Sequence, residues 1–203
     1  SIGVEEYLLK PFTLEDVMGS LEKIAVSLDK QKQEFSDISR LKSELESSNV
    51  LAREKMLSDL VLGVLDSSTA IQKASAFNIN LISHYYIVSV SEIHPKNGDV
   101  NLLIAAKSYV MSFANDRSDI IGFFISPNTF VAIIKGSEKE VCEEDAFAIA
   151  DSLKHEVSKA NDTTVVTAIG SAVEHTANIT KSFIQASDIL KQTNFVDKNK
   201  VIS

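Results

Sequence analysis

In this chain of 203 residues, few side chains have the types and the spacing that catalysis or metal binding requires. No Gly-x-Ser-x-Gly, His-Glu-x-x-His or Gly-x4-Gly-Lys-Ser/Thr motif occurs, so the signatures of common hydrolases, metalloproteases and phosphate-binding loops are missing. No two histidines stand at the spacing of a metal site; they are His84, His94, His155 and His175. We therefore expect no catalytic residue, no metal ligand and no bound cofactor.

Acidic side chains crowd residues 138–145, which hold five carboxylates. They are plausible ligands of a divalent metal, but a simpler interpretation is the exposed start of a helix, where carboxylates meet the positive end of the helix dipole. Cys142 lies next to Glu143 and Glu144, whose charges raise a thiol pKa, so we do not expect it to act as a nucleophile. A single cysteine also excludes an internal disulfide, which fits a reducing cytoplasm.

The charge balance argues against a nucleic-acid-binding surface. The net charge is −8, and residues 1–60 and 61–203 each contribute −4. Phosphate contacts need clustered Lys and Arg, so we expect this segment to contact no nucleic acid. No apolar run approaches the roughly 20 residues of a membrane span, so we also expect no membrane contact. The single cysteine favours a cytoplasmic location.

A strand, a Lys-Pro turn and a helix form the first predicted unit. Apolar residues within 4–9 precede Lys10-Pro11, where the proline ends any strand because it cannot donate to the ladder. Thr13 is then placed to cap a helix, with Asp16 at its third position.

The helical pattern continues far beyond this unit, because no glycine or proline interrupts the chain between Gly19 and Gly63. A helix with one narrow apolar stripe cannot bury itself and needs a partner. The simplest partner is a second copy of the chain in a coiled coil. The predicted dimer seam consists of Leu21, Leu28, Phe35, Ile38, Leu41 and Leu45. The alternative is a long helix lying on its own domain.

Two features interrupt the regularity of this stripe. Its spacing shifts at Phe35–Ile38, which locally changes a supercoil. Ser47-Ser48-Asn49 either breaks the helix or caps a new one from Val50 to Leu62, with Gly63 as the C-terminal stop.

From about residue 67 the pattern alternates between strands and helices. Apolar and β-branched runs predict strands, and apolar residues at helical spacing predict helices. The predicted order is a helix at 68–76, a strand at 86–90, a helix around 103–113, strands at 120–125 and 130–134, a helix around 146–157, a strand at 165–169, a helix around 179–190 and a short strand at 200–202. The strands within 120–134 are apolar at successive positions, so both of their faces should be covered. The predicted fold class is α/β (α+β), a long N-terminal helix followed by a mixed-sheet α/β sandwich.

The turn between the two central strands is the segment Ser126-Pro127-Asn128-Thr129, and Phe130 follows it. Proline at the second position and asparagine at the third favour a tight hairpin turn. The sequence thus predicts a β-hairpin here.

Residues 2–28 resemble the C-terminal end of a two-component receiver domain. The features that carry the resemblance are Gly3, Tyr7-Leu8-Leu9, Lys10-Pro11-Phe12 and the helix cap that follows. The resemblance implies that Lys10 takes the place of the lysine that faces a phosphorylated aspartate, where an ammonium pairs with phosphoryl oxygens. The phosphate-accepting aspartate and the magnesium-binding acids would lie upstream, so Lys10 has no phosphoacceptor within this chain.

Residues from about 50 to 203 resemble the middle region of AraC-type response regulators, a degenerate relative of the GGDEF (diguanylate cyclase) domain. The resemblance is carried by the stretches YIVSVSEI, ISPNTFVAII, TAIGSA and IQASDILKQTNFVDKNKVI. Where an active cyclase has Gly-Gly-Asp-Glu-Phe in the hairpin turn, this chain has Ser126, Pro127, Asn128, Thr129 and Phe130.

The resemblance further implies that the turn has lost two functions. The glycines of an active cyclase give GTP access to the backbone, and its acids bind the metals that assist phosphoryl transfer. Only Phe130 is kept, and the strand motif Asp-x-Asp is replaced by Glu92-Ile93-His94. We therefore expect this chain not to be an enzyme.

Together the two resemblances imply three parts: the end of a truncated receiver domain (1–28), a helical linker or coiled coil (29–66) and a degenerate GGDEF-like domain (67–203). They imply a non-catalytic signal-transmission and dimerisation segment of a two-component response regulator that controls transcription. Its partners would be a second copy through the long helix and an upstream sensor kinase, and its DNA-binding helix-turn-helix domain would lie outside this chain. Two alternatives stay open, a domain that senses a nucleotide or other small molecule without turnover and an inert spacer or protein-docking platform.

Overall fold

Helix α1 (Leu14–Val61) runs for 48 residues without a break in the computed structural model, which describes residues 14–192 and 201–202. Ser47-Ser48-Asn49 does not interrupt it, and the Ser47 hydroxyl donates to the carbonyl of Ser43 at 2.9 Å within the helix. The predicted strand at 4–9, Lys10 and the Thr13 cap lie outside the described residues.

Gly63 ends helix α1, as its position in the sequence predicts. Its φ of +74° is in the left-handed region that glycine adopts without steric cost. The N–H of Gly63 donates to the carbonyl of Leu60, and the N–H of Val64 donates to the carbonyl of Asp59. These two hydrogen bonds form a Schellman motif, which satisfies carbonyls that the helix end leaves unpaired.

The chain divides into two units, residues 1–51 and 52–203. In the first unit, every described residue belongs to α1. The side chains of the predicted seam are all more than half exposed, from 54% to 74% of their surface; they are Leu21, Leu28, Phe35, Ile38, Leu41 and Leu45. No described residue covers this apolar stripe.

The second unit contains a sheet of six strands: β1 (Tyr85–Pro95), β2 (Ile120–Ser126), β3 (Thr129–Gly136), β4 (Thr163–Ile169), β5 (Val173–Glu174) and β6 (Val201–Ile202). Five of them follow the order β2-β3-β1-β4-β6, and β5 pairs with β1 outside this order. All pairs are antiparallel except β4 with β6, which are parallel. The sheet is therefore mixed, as predicted.

Helices cover both faces of this sheet. They are α2 (Ser67–Ala76), α3 (Val100–Asn115), α4 (Lys139–Asn161) and α5 (Ile179–Gln192), together with the last turns of α1. One core lies between the sheet and helices α3 and α4, and the other between the sheet and α2, α5 and the end of α1. Alternate residues of β1 supply the two cores, Ile87 and Ile93 to the first and Val88 and Val90 to the second. This arrangement confirms the predicted α/β fold.

The sequence pattern did not predict the part of the sheet where β4 ends and β5 begins. The N–H of Gly170 donates to the carbonyl of Val88 at 2.9 Å, and the N–H of Val88 donates to the Ser182 hydroxyl of α5 at the same distance. A helix side chain thus replaces a strand partner here. β5 has only two residues, too few for a periodic signal in the sequence.

A helix that crosses a membrane needs about 20 predominantly apolar residues, and this requirement can be applied to each described helix. None of them combines the length and the apolarity that crossing a bilayer requires.

Two leucines of α1 allow the burial of its C-terminal end to be tested. Leu57 is fully buried, whereas Leu51 is 67% exposed. We expect Leu57→Ala to lower the free energy of unfolding by about 2–5 kcal/mol, because it leaves a cavity in the core. The control Leu51→Ala should change it by less than about 0.5 kcal/mol. Urea denaturation followed by circular dichroism measures both, and equal effects would contradict the assignment of the end of α1 to the core.

Candidate functional site

The hairpin turn between β2 and β3 is the candidate site that the sequence singled out. Ser126 and Thr129 face each other across the strands, so Pro127 and Asn128 form a two-residue turn, and the register shifts between Phe124 and Ser126. The Ser126 hydroxyl lies 3.1 Å from Asn128 Oδ1 and 2.8 Å from Thr129 Oγ1. The polar side chains of the turn therefore bind one another.

The backbone of the turn is also held by the neighbouring strand. The carbonyl of Asn128 accepts a hydrogen bond of 2.9 Å from the N–H of Ile93 on β1. Pro127 has no N–H to offer to a ligand. The turn is thus bound to the sheet through its own backbone and side chains.

Phe130 has a structural role in this fold. Its side chain is fully buried in the core beneath α3 and α4. Its ring packs against that of Phe124, with a centroid distance of 5.3 Å and an angle of 56° between the planes. Packing alone is therefore a sufficient reason for an aromatic residue at this position.

Glu92 and His94 lie beside the turn at the end of β1, where Glu92 is the register partner of Thr129. The Glu92 Oε2 and His94 Nε2 atoms are 3.2 Å apart, and both side chains are about one-third exposed. Across the described ranges, 14–192 and 201–202, no three His, Cys, Asp or Glu residues are grouped so that they could hold a metal ion. The structure therefore pairs Glu92 with a histidine and not with a second carboxylate.

Cys142 lies on α4 in the same core as Phe130. Burial is the main cause that raises the pKa of its thiol to about 11, and the charges of Asp145 and Glu143 act in the same direction. The sequence predicted the direction of this shift from neighbouring acids, but burial is the larger cause.

The other predicted site residues belong to different parts of the chain. The residues of the predicted seam lie along α1 in the first unit, whereas the residues of the turn lie in the second. Lys10 lies outside the described residues, so its proposed phosphate-sensing role stays a prediction from resemblance.

One residue at the sheet edge had no signal in the sequence. Arg53 on α1 donates from Nη2 to the carbonyl of Gly122 on β2 at 3.1 Å. Arginines on exposed helix faces are common, and neither periodicity nor a motif separates Arg53 from Arg40. Only the packing of the end of α1 beside β2 distinguishes the two arginines.

A comparison with models of protein families shows the family to which this sheet and its turn belong. Residues 63–191 match the family model described as GGDEF-like domain, which is more than half of the chain. The chain belongs to the GGDEF-like domain family. The matched range begins at the glycine that ends α1, extends into α5 and contains the hairpin turn. The resemblance of this region to a GGDEF-like domain is therefore confirmed.

The other two comparisons add little. A search of curated proteins gives no significant match. One solved structure, of a C-terminal segment of the alpha subunit of aIF2 from Pyrococcus abyssi, is similar over 70% of this chain and 78% of that chain, at 15% identity and a TM-score of 0.33. Similarity at this level carries no argument about the GGDEF-like domain.

The raised pKa of Cys142 predicts a pH dependence of stability. The thiol ionises first in the unfolded chain, at a pKa of about 8.5. Stability from the protonated thiol is therefore fully present below that pH and is lost as pH rises toward the folded value of about 11. We expect a loss of about 1–2 kcal/mol at pH 10. Urea titrations between pH 7.5 and 10 measure the free energy of unfolding. The variant Cys142→Ala lacks the thiol and corrects for the titration of other groups. If the free energy of unfolding falls equally with pH in both proteins, the prediction is wrong.

Proposed function

We propose that this chain is a signal-transmission and dimerisation segment of a two-component response regulator of the AraC type, in which the GGDEF-like domain performs no catalysis. The observation that carries the proposal is the form of α1. It is an uninterrupted helix of 48 residues whose apolar stripe is exposed and whose last turns are buried in the GGDEF-like domain. Such a helix is suited to carry a change in pairing to the domain.

Dimerisation would bury the exposed stripe of α1. Apolar surface removed from water contributes roughly 25 cal/mol per Å², and six large side chains along one helix are a substantial area. The other faces of the helix are polar and carry ion pairs four residues apart, as between Lys30 and Glu34 at 4.0 Å and between Arg40 and Glu44 at 3.8 Å. One apolar stripe and polar remaining faces are typical of a helix in a two-stranded coiled coil.

The absence of catalysis is supported by the chemistry of the turn. Ser126 and Asn128 carry no charge and their side chains bind each other or Thr129. A phosphoryl transfer that depends on two metal ions needs carboxylates to hold them. Glu92 is the one carboxylate of the strand motif, and it lies against His94.

The upstream and downstream parts of the proposal rest on resemblance. Residues 2–28 resemble the end of a receiver domain, and Lys10 would sense phosphorylation by an upstream sensor kinase. A DNA-binding helix-turn-helix domain outside this chain would be the output, in the cytoplasm. Phosphorylation would bias the pairing of α1 between two arrangements, and the shift of the stripe at Phe35–Ile38 is where we place the two-state seam.

The dimer seam is tested by charge. We expect Ile38→Glu combined with Leu45→Glu to yield monomers, because two carboxylates in each helix would face each other across an apolar seam. Sedimentation equilibrium measures the mass of the wild type and the variant.

The matched control for this experiment adds the same charge on the opposite face of α1. Gln33→Glu combined with Ser47→Glu changes two exposed polar positions away from the stripe and should leave the dimer intact. An unchanged mass in the seam variant, or equal dissociation in both variants, would remove the proposed seam.

The absence of catalysis is tested directly. The purified chain incubated with GTP and magnesium should form no cyclic di-GMP above the level of a heat-denatured sample, as measured by liquid chromatography. Any turnover beyond that level refutes the proposal. Heat of binding for GTP or cyclic di-GMP in calorimetry, without turnover, would instead support a ligand-sensing domain.

A further inference from the structure

The last turns of helix α1 are part of the core of the GGDEF-like domain. Met56, Leu57, Leu60 and Val61 are all at most 5% exposed and pack with residues of the sheet, α2 and α5. Four buried apolar side chains within six residues couple this helix end to the core and resist its movement. A displacement of the helix end must therefore be accommodated by the domain.

Arg53 lies one turn before these residues and contacts the edge of the sheet. β2 is the first strand in the sheet order, so its outer side has no strand partner among the described residues. The N–H of Lys135 donates to the carbonyl of Asp119 at 2.8 Å, so Asp119, just before β2, is in a hydrogen-bonded pair. In an antiparallel ladder every second residue is bonded to the partner strand. Gly122 lies three positions after Asp119, so its backbone groups point away from β3.

The carbonyl of Gly122 accepts the hydrogen bond from Arg53. Arg53 is partly buried, and this burial lowers the pKa of the guanidinium, which remains charged. A hydrogen bond from a charged donor is stronger than one between neutral groups. The contact thus holds an otherwise open carbonyl of the edge strand.

Gly122 in turn is in tight contact with the residue that follows the turn. A Cβ at this position would lie 2.6 Å from the Phe130 ring and 2.7 Å from Ala114 on α3, so only glycine fits without a shift. Any movement of the β2 backbone at this point therefore displaces the ring of Phe130 or is resisted by it. This contact connects the edge carbonyl to the base of the hairpin turn.

We propose that Arg53 is the positioning residue through which a movement of helix α1 reaches the β2–β3 hairpin, by way of the Gly122 carbonyl and the Phe130 ring. This inference rests on the proposed function, because it assumes that α1 changes its pairing or rotation. The inference names the contacts within the GGDEF-like domain that would transmit this movement, and it names the β2–β3 hairpin as the element that would respond.

The geometry makes the contact sensitive to rotation. Side chains reach about 5–6 Å from a helix axis, so a rotation of 30° moves the end of a side chain by roughly 3 Å. The Arg53–Gly122 hydrogen bond is 3.1 Å long, and a displacement of that size breaks it.

The first test measures hydrogen–deuterium exchange of the full chain by mass spectrometry. Arg53→Met keeps the apolar stem and removes the donor. We expect amide exchange in residues 120–130 to become about tenfold faster. The control is Arg40→Met on the same helix, where the arginine is 70% exposed and pairs with Asp37 and Glu44 on the surface; exchange in residues 120–130 should not change. Unchanged exchange in the Arg53 variant, or an equal increase in both, overturns the proposal.

The second test separates coupling from a purely structural contact. The seam substitutions Ile38→Glu and Leu45→Glu are made in the wild type and in the Arg53→Met background. If Arg53 carries the coupling, they change exchange in residues 120–130 in the wild type and cause no further change in the Arg53→Met background. Equal changes in both backgrounds, or no change in either while the mass falls to that of a monomer, overturn the coupling.

Failure of the proposed function gives a different result. If the seam substitutions leave the mass unchanged, the dimer proposal is wrong, whatever the exchange shows. The first test then still decides whether Arg53 holds the β2–β3 hairpin, because it compares Arg53→Met with Arg40→Met without any change in the seam.

Discussion

The burial of β2 and β3 on both faces is the constraint on which the rest of this structure depends. Residues of these strands point alternately into two cores, so helices must cover both sides of the hairpin. Helices α3 and α4 supply one cover. The other includes the last turns of α1, which places the end of a 48-residue helix in the core of the GGDEF-like domain. This packing supports the proposed transmission role, because a helix that completes the core cannot move independently of it.

The same constraint accounts for the aromatic residue that follows the turn. The ring of Phe130 fills the core against Phe124 and Gly122, which is a packing requirement of the fold. Ser126, Asn128 and Thr129 lie at the end of the hairpin, outside that core, and their side chains bind one another. The turn therefore closes the hairpin with the residue types that a tight turn favours, and none of its side chains carries a charge.

Most of the fold could be predicted from the sequence because its elements are long and periodic. The order of helices and strands from 67 to 192, the hairpin turn at 126–129 and the end of α1 at Gly63 all follow from local patterns. Local patterns did not predict the elements whose formation depends on residues that are distant in the sequence but close in space. β5 has only two residues, and it exists because the β1 backbone offers a partner at Tyr85 and Tyr86. Both alternatives predicted for Ser47–Asn49, a break and the cap of a new helix, are wrong, because α1 continues through these residues.

The sequence by itself determined the period of each element, the apolar stripe of α1 and the absence of carboxylates from the turn, since these depend on residue types and on spacing along the chain. Only the tertiary structure decided that Glu92 lies against His94, that burial is the main cause of the raised pKa of Cys142, and that Arg53 holds Gly122. The Arg53 contact joins residues 69 positions apart in the chain. The physical reason is that hydrogen bonds and burial act through space, so residues without a local signal acquire their roles only when the sheet and its helices pack together.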